Sequence, residues 1–187
     1  IFDFGNGTAN DNIVLARLEK TNDLTYKLFK GFVCVLDLTV PDAIVNGTWM
    51  NVTATYDTSS QLAVLYINGI AMGSAIASEA IATGGRTNYW IGRSQWPEDG
   101  AFHGAMDNVA FYDRSLDSGE VKALDSAQNM GRIPTTGLIA GFDMGNLNLS
   151  GVTSATQGQS TVGFVASNYV ASSGTNISNS GLQSEQQ

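Results

Sequence analysis

The sequence has a single cysteine, Cys34, a single histidine, His103, and few charges of either sign. One cysteine excludes an internal disulfide, and one cysteine with one histidine excludes an ordinary zinc cluster within the chain. Charged residues make up 14% of the total, against about 25% in an average soluble domain. Lys and Arg number 9 against 17 Asp and Glu, a net charge of −8. So acidic a chain repels phosphate backbones and anionic lipids, which disfavours nucleic acid and leaves cations as the natural small partners. No apolar run approaches the roughly 18 residues of a membrane helix, so no membrane insertion is expected, and no secretory leader pattern occurs. There is no P-loop or dinucleotide fingerprint, because Gly84-Gly85 precede a strand pattern, not a helix.

What is present suits one β-domain with an extension. Hydrophobic residues supply 43% of 187 positions, enough for a core that buries roughly 70% of the unfolded surface. With few charges available, the surface must be covered by Ser, Thr, Asn and Gly, a coat common in secreted all-β proteins. Sequons for N-glycosylation stand at Asn6, Asn46, Asn51, Asn148 and Asn176 and agree with a secretory route. Within a strand, Asn51 could carry a glycan on the outer face alone. The chain opens on Ile1 as though already inside a strand, which reads as a processed product or a fragment of something longer.

Period-2 patterns recur at intervals of about ten residues. IFDF, NIVLAR, LTYKLF and GFVCVLDL read as the first strands, with Lys30-Gly31 as a hairpin turn; Cys34 reads as a small buried hydrophobe. In TWMNVTATYD, Met50, Val52, Ala54 and Tyr56 alternate with Trp49, Asn51, Thr53 and Thr55. Asn68-Gly69, between two apolar segments, is the strongest hairpin signal in the chain. TNYWIGR is a further strand, and Trp49 and Trp90 are expected in the core. In the stretch Gly104 to Val121 a half-buried strand runs into a helix near 118–128, where Asp117 and Glu120 have capping-box spacing and Val121 and Leu124 recur at helical spacing. Gly131 and Pro134 end it. The fold expected over residues 1–134 is all-β, a two-sheet antiparallel β-sandwich with one short helix. Residues 135–187 form a polar extension with one or two further strands, GLIAGFD and TVGFVASNYVA.

The ordered set W-M-N-V-T-A-T-Y-D, L-Y-I-N-G, W-I-G-R and F-H-G-A-M-D-N-V-A-F-Y-D-R-S-L-D-S-G-E-V resembles the laminin G-like jelly roll of the concanavalin A-like lectin and glucanase superfamily, pentraxins included. The resemblance covers about residues 1–130, and Asp117 stands where that family usually has Ser. The family carries two or so strands ahead of the segment that IFDFGNG resembles. The resemblance therefore implies that these were removed, that Gly137–Asp143 and Thr161–Ala171 replace them, or that another chain supplies them. An unpaired strand edge invites addition of a strand by a partner.

The pentraxin resemblance also implies calcium. Asp11 and Asn12 stand before an apolar strand as in the family's calcium loop, and Gln95, Glu98 and Asp99 lie where the remaining ligands would fall, at a different spacing. The alternative is that these are turn-forming residues. Trp96, beside Pro97, reads either as an exposed platform for a sugar or partner or as a residue packed on its own loop. Tyr89 could serve either way. The family's glucanases carry E-x-D-x-x-E, which is absent here, and His103 lacks a nucleophile signature and reads as structural. No enzyme is expected. The function expected is a non-catalytic extracellular adhesion or assembly module, with a glycan-binding lectin as the alternative and a glycoside hydrolase third.

Overall fold

A strand whose residues alternate has one apolar face, and two stacked sheets bury two sets of such faces together. The computed structural model of the chain describes residues 1–81, 84–127, 130–142 and 165–171. In chain order its strands are β1 (Phe2–Gly5), β2 (Ile13–Arg17), β3 (Leu24–Lys30), β4 (Val33–Val40), β5 (Trp49–Asp57), β6 (Leu62–Ile67), β7 (Ile70–Ile76), β8 (Asn88–Ile91), β9 (Gly104–Tyr112), β10 (Leu138–Phe142) and β11 (Val165–Ala171). The helix α1 (Ser118–Ser126) falls between β9 and β10. Sheet A has the order β4-β3-β2-β1-β8 and sheet B the order β10-β9-β11-β5-β6-β7. All pairings are antiparallel, so the fold is a β-sandwich.

Register follows from the apolar pattern. Phe2 lies opposite Leu15, Leu15 opposite Tyr26 and Tyr26 opposite Leu38, one inward row across sheet A. Met50, Val52, Ala54, Tyr56, Leu65, Val109 and Phe111 meet it from sheet B. The Asn68-Gly69 turn has φ of 49° and 73°, the left-handed pair that a two-residue hairpin needs.

A second core lies on the outer face of sheet B. Helix α1 packs against β5 and brings Val121 and Leu124, with Leu116, Ala127 and Ile133, over Tyr66, Ala110 and Tyr112. Its start is fixed by the capping box: the Glu120 amide donates to Asp117 Oδ1 at 2.8 Å, and the Asp117 amide donates to Glu120 Oε2 at 3.0 Å. Glu120 also takes a two-pronged ion pair from Arg114, whose guanidinium reaches on to the Thr136 carbonyl just before β10.

Four expectations are corrected. Beneath α1, β5 is buried on both faces, so Asn51, at 7% exposure, has no room for a glycan on the folded chain. Trp49 is 53% exposed, because the alternation that turns Met50 inward turns its neighbour outward. Trp90 is half-buried on the outside of sheet A, with the Arg93 guanidinium 4.2 Å above its ring. Cys34 is exposed. A bulge in the β3–β4 pairing, where the partner changes from Leu36 to Cys34 between Leu28 and Phe29, throws the thiol outward.

Sheet B continues past residue 134. β10 pairs with β9, and β11 lies between β9 and β5. Asn148 and Asn176 lie outside the described residues. Among the described residues no helix is long and apolar enough to cross a membrane.

Candidate functional site

The loop after β8 folds onto the outer face of sheet A and turns that face into a built polar site. Asp3 starts it. Between inward Phe2 and Phe4 it must point outward, yet it is buried, since the loop closes over it. The Gln95 backbone amide donates to Asp3 Oδ2 at 2.7 Å, while Asn12 Nδ2 and Gln95 Nε2 donate to Oδ1 at 2.7 and 3.1 Å. Burial pushes the Asp3 carboxyl above its ordinary range, and these hydrogen bonds pull in the opposite direction without cancelling it.

Gln95 also binds the facing loop. Its Oε1 accepts from the Gly7 amide at 2.7 Å and from Asn88 Nδ2 at 3.0 Å, and its carbonyl accepts from Thr8 Oγ1 at 2.9 Å. Asp11 is spent differently: Oδ1 accepts from the Gly31 amide at 2.7 Å, clamping the β3–β4 hairpin, and its carbonyl accepts from Arg86 Nε at 2.7 Å.

Two of the segments expected to supply calcium ligands are thus brought together, through Asn12 and Gln95, but around a carboxylate and not around an open cavity. Calcium takes six to eight oxygens. Here Asp3 Oδ1 and Oδ2, Gln95 Oε1 and Asp11 Oδ1 already accept protein hydrogen bonds. Asn12 Oδ1 is the one buried oxygen of the cluster without a partner. Glu98 and Asp99 stand exposed in the loop. As arranged, the donor set does not fit calcium. Among the described residues, here or elsewhere, no group of three or more His, Cys, Asp and Glu side chains converges so as to hold a metal ion.

Trp96 is half-buried, with its ring 5.6 Å from that of Phe29 on β3. It therefore pins the loop to the sheet and is not a free platform. Beside this loop Tyr89 is an open aromatic, 62% exposed with one side of its ring against Phe4, centroids 5.2 Å apart. His103 is exposed, Asn46 is exposed, and Asn6 is half-buried with its Oδ1 accepting from the Thr87 amide at 2.9 Å. Asp3 escaped sequence reasoning. In I-F-D-F an alternating acid reads as solvated, and its partner Gln95 is 92 positions away.

The sequence profile that matches this chain spans residues 1–122. The chain belongs to the concanavalin A-like lectin/glucanases superfamily. The profile ends within α1, so β10 and β11 lie beyond the part of this superfamily member that it covers. No curated protein matches the sequence. The crystal structure of an S-layer domain-containing protein (residues 221–444) from Clostridium thermocellum ATCC 27405 is similar over 67% of this chain at 23% identity, with a TM-score of 0.37. The chain spans 61% of that one.

Proposed function

We propose that this superfamily member is a non-catalytic module of an extracellular or cell-surface assembly, joined to protein neighbours by strand addition. β7 carries the reading. Among the described residues it is one of the two rim strands of sheet B, its sequence IAMGSAI has no charge and no proline, and Ile70 and Ile76 are 63% and 72% exposed. Natural rim strands are guarded by charge, proline or bulges. β7 has only the bulge at Met72. Such a strand offers backbone groups to a neighbour's rim strand, and its exposed isoleucines are covered in the process. The uncharged polar coat and the accessible sequon at Asn46 favour an extracellular setting.

Replacing exposed Ser74 by Lys tests this. Sedimentation velocity of the wild-type chain should show association that rises with concentration, and Ser74→Lys should abolish it up to about 0.1 mM, well below millimolar effective concentrations, with an unchanged melting temperature. A wild-type chain that stays monomeric to about 1 mM, with weak contacts expected in the micromolar to millimolar range, would refute the reading.

A glycan-binding role is favoured by one observation, the open ring of Tyr89 at the rim of sheet A. An exposed aromatic face can stack on a sugar. Binding on a glycan array that disappears in Tyr89→Ala would support that role, and an array with no binding would remove it.

A further inference from the structure

Sheet B is joined in an unusual order. β5, β6 and β7 connect to β9 and β10 through β11, the last described strand in the chain. On one side β11 pairs Ala166 with Thr53, Ser167 with Val52, Asn168 with Asn51, Tyr169 with Met50 and Val170 with Trp49. On the other it pairs Val165 with Phe111 and Ala171 with Gly104. Withdrawing it leaves a slot one strand wide in the middle of the sheet, with unpaired ladder groups on both walls. Unpaired backbone groups of that kind are costly when buried, so the slot demands an occupant.

We infer that Val165–Ala171 is an exchangeable strand, and that in a close-packed assembly each copy's slot is filled by the β11 of a neighbouring copy. This rests on the assembly reading above and names its partner, a second copy of this chain. Three observations carry it. First, the slot is defined by backbone pairing, which is identical whether the strand arrives from its own chain or from another. Second, residues 143–164 separate β10 from β11, and about twenty residues can span up to roughly 70 Å when extended. Third, charge is absent where it would oppose the exchange. The chain carries −8 overall, so two copies repel, but residues 144–184 contain no Asp, Glu, Lys, Arg or His.

Concentration decides between the two arrangements. A strand tethered to its own slot has an effective concentration of about millimolar. Dilute chains therefore close on themselves, and exchange sets in where neighbours are packed to a comparable density, as in a surface layer or filament.

The test uses two full-length variants on a Cys34→Ser background, one with Trp49→Cys and the other with Val170→Cys, residues that face each other across β5 and β11. Each chain then holds one thiol, so a mixed disulfide can form only between chains. The two are unfolded together, refolded at about 1 mM and oxidised. Strand exchange predicts mixed dimers about tenfold above a control pair in which Leu62→Cys, on β6, replaces Trp49→Cys. Circular dichroism of the same samples verifies that both variants have refolded. Mixed dimers no more abundant than the control, in refolded protein, overturn the inference. If sedimentation still shows association lost in Ser74→Lys, the assembly reading survives and exchange alone fails; if neither appears, both fail.

Discussion

Asn12 Nδ2 donates to Asp3 Oδ1 at 2.7 Å, and to do so the carboxamide lies across Gly5, where an added Cβ would sit 2.5 Å from Asn12 Cγ. A glycine is required there for space and not for backbone freedom. Gly5→Ala is expected to cost about 1–3 kcal/mol through overpacking, read as a lower urea midpoint. Combining it with Asn12→Ala should cost less than the sum of the single changes, since the clash disappears with the carboxamide. Strict additivity would show that the two side chains do not compete for that space.

Acid titration should separate two kinds of carboxylate. The folded-state value of Asp3 is raised from 3.8 by burial, so the native state binds more protons than the unfolded one above that value, and stability falls as pH rises through the window. Asp57, lowered to about 2 by Ser59 and Ser60, and Glu120, lowered by Arg114, act in the opposite sense. Their contribution is present above the ordinary carboxylate value and lost as pH falls. Urea melts from pH 2 to pH 7 should therefore show Asp3→Asn losing the decline on the high side of the ordinary carboxylate range, whatever its absolute stability. An unchanged slope there would contradict the assignment.

Glu120 has two duties, so it should matter more than the residue it caps with. Asp117→Ala is expected to cost about 1 kcal/mol. Glu120→Ala should cost more, because Arg114 then loses its partner as well. A double-mutant cycle of Arg114→Ala and Glu120→Ala should give a coupling of about 0.5–1 kcal/mol, discounted for partial exposure. Thermal unfolding reads it out, and zero coupling would mean the pair is ornamental.

The strands and the capped helix were legible because their signals are local. Met50, Val52, Ala54 and Tyr56 announce β5, and Asp117 and Glu120 announce α1, within a few residues of one another. What covers a face is not local. Thr53 and Thr55 alternate like solvated residues and are buried by a helix some sixty positions later. Trp49 was readable from the same alternation, had parity been weighed above size. Cys34 was not, since a bulge in the β3–β4 pairing reversed its parity. The polar site was half legible: Asn12 and Gln95 stood out as oxygen donors, but the carboxylate on which they converge did not.

The lone thiol offers a direct check of that bulge. Cys34 should react fully with a disulfide reagent in the native state, which a core cysteine would not do. Partial burial, with Asp37 nearby, raises its pKa, so the rate should lag behind that of free cysteine and catch up at higher pH. A thiol that reacts only after unfolding would place Cys34 inside.

Calcium should leave the fold unmoved. With the Asp3, Asn12, Gln95 and Asp11 donors already engaged, addition of about 1–10 mM calcium or of a chelator is expected to shift the melting temperature by no more than experimental scatter. A rise that saturates with calcium would show that this network opens to admit the ion.

The position of β11 also sets how the sandwich carries load. Antiparallel ladder bonds lie across the strands. A pull along β11 strains the bonds of both its ladders together, in shear, whereas a pull outward on β7, held by one ladder at the rim, peels its bonds in succession. Tension along the middle of sheet B meets the greater resistance, and the rim strand is the part that yields first.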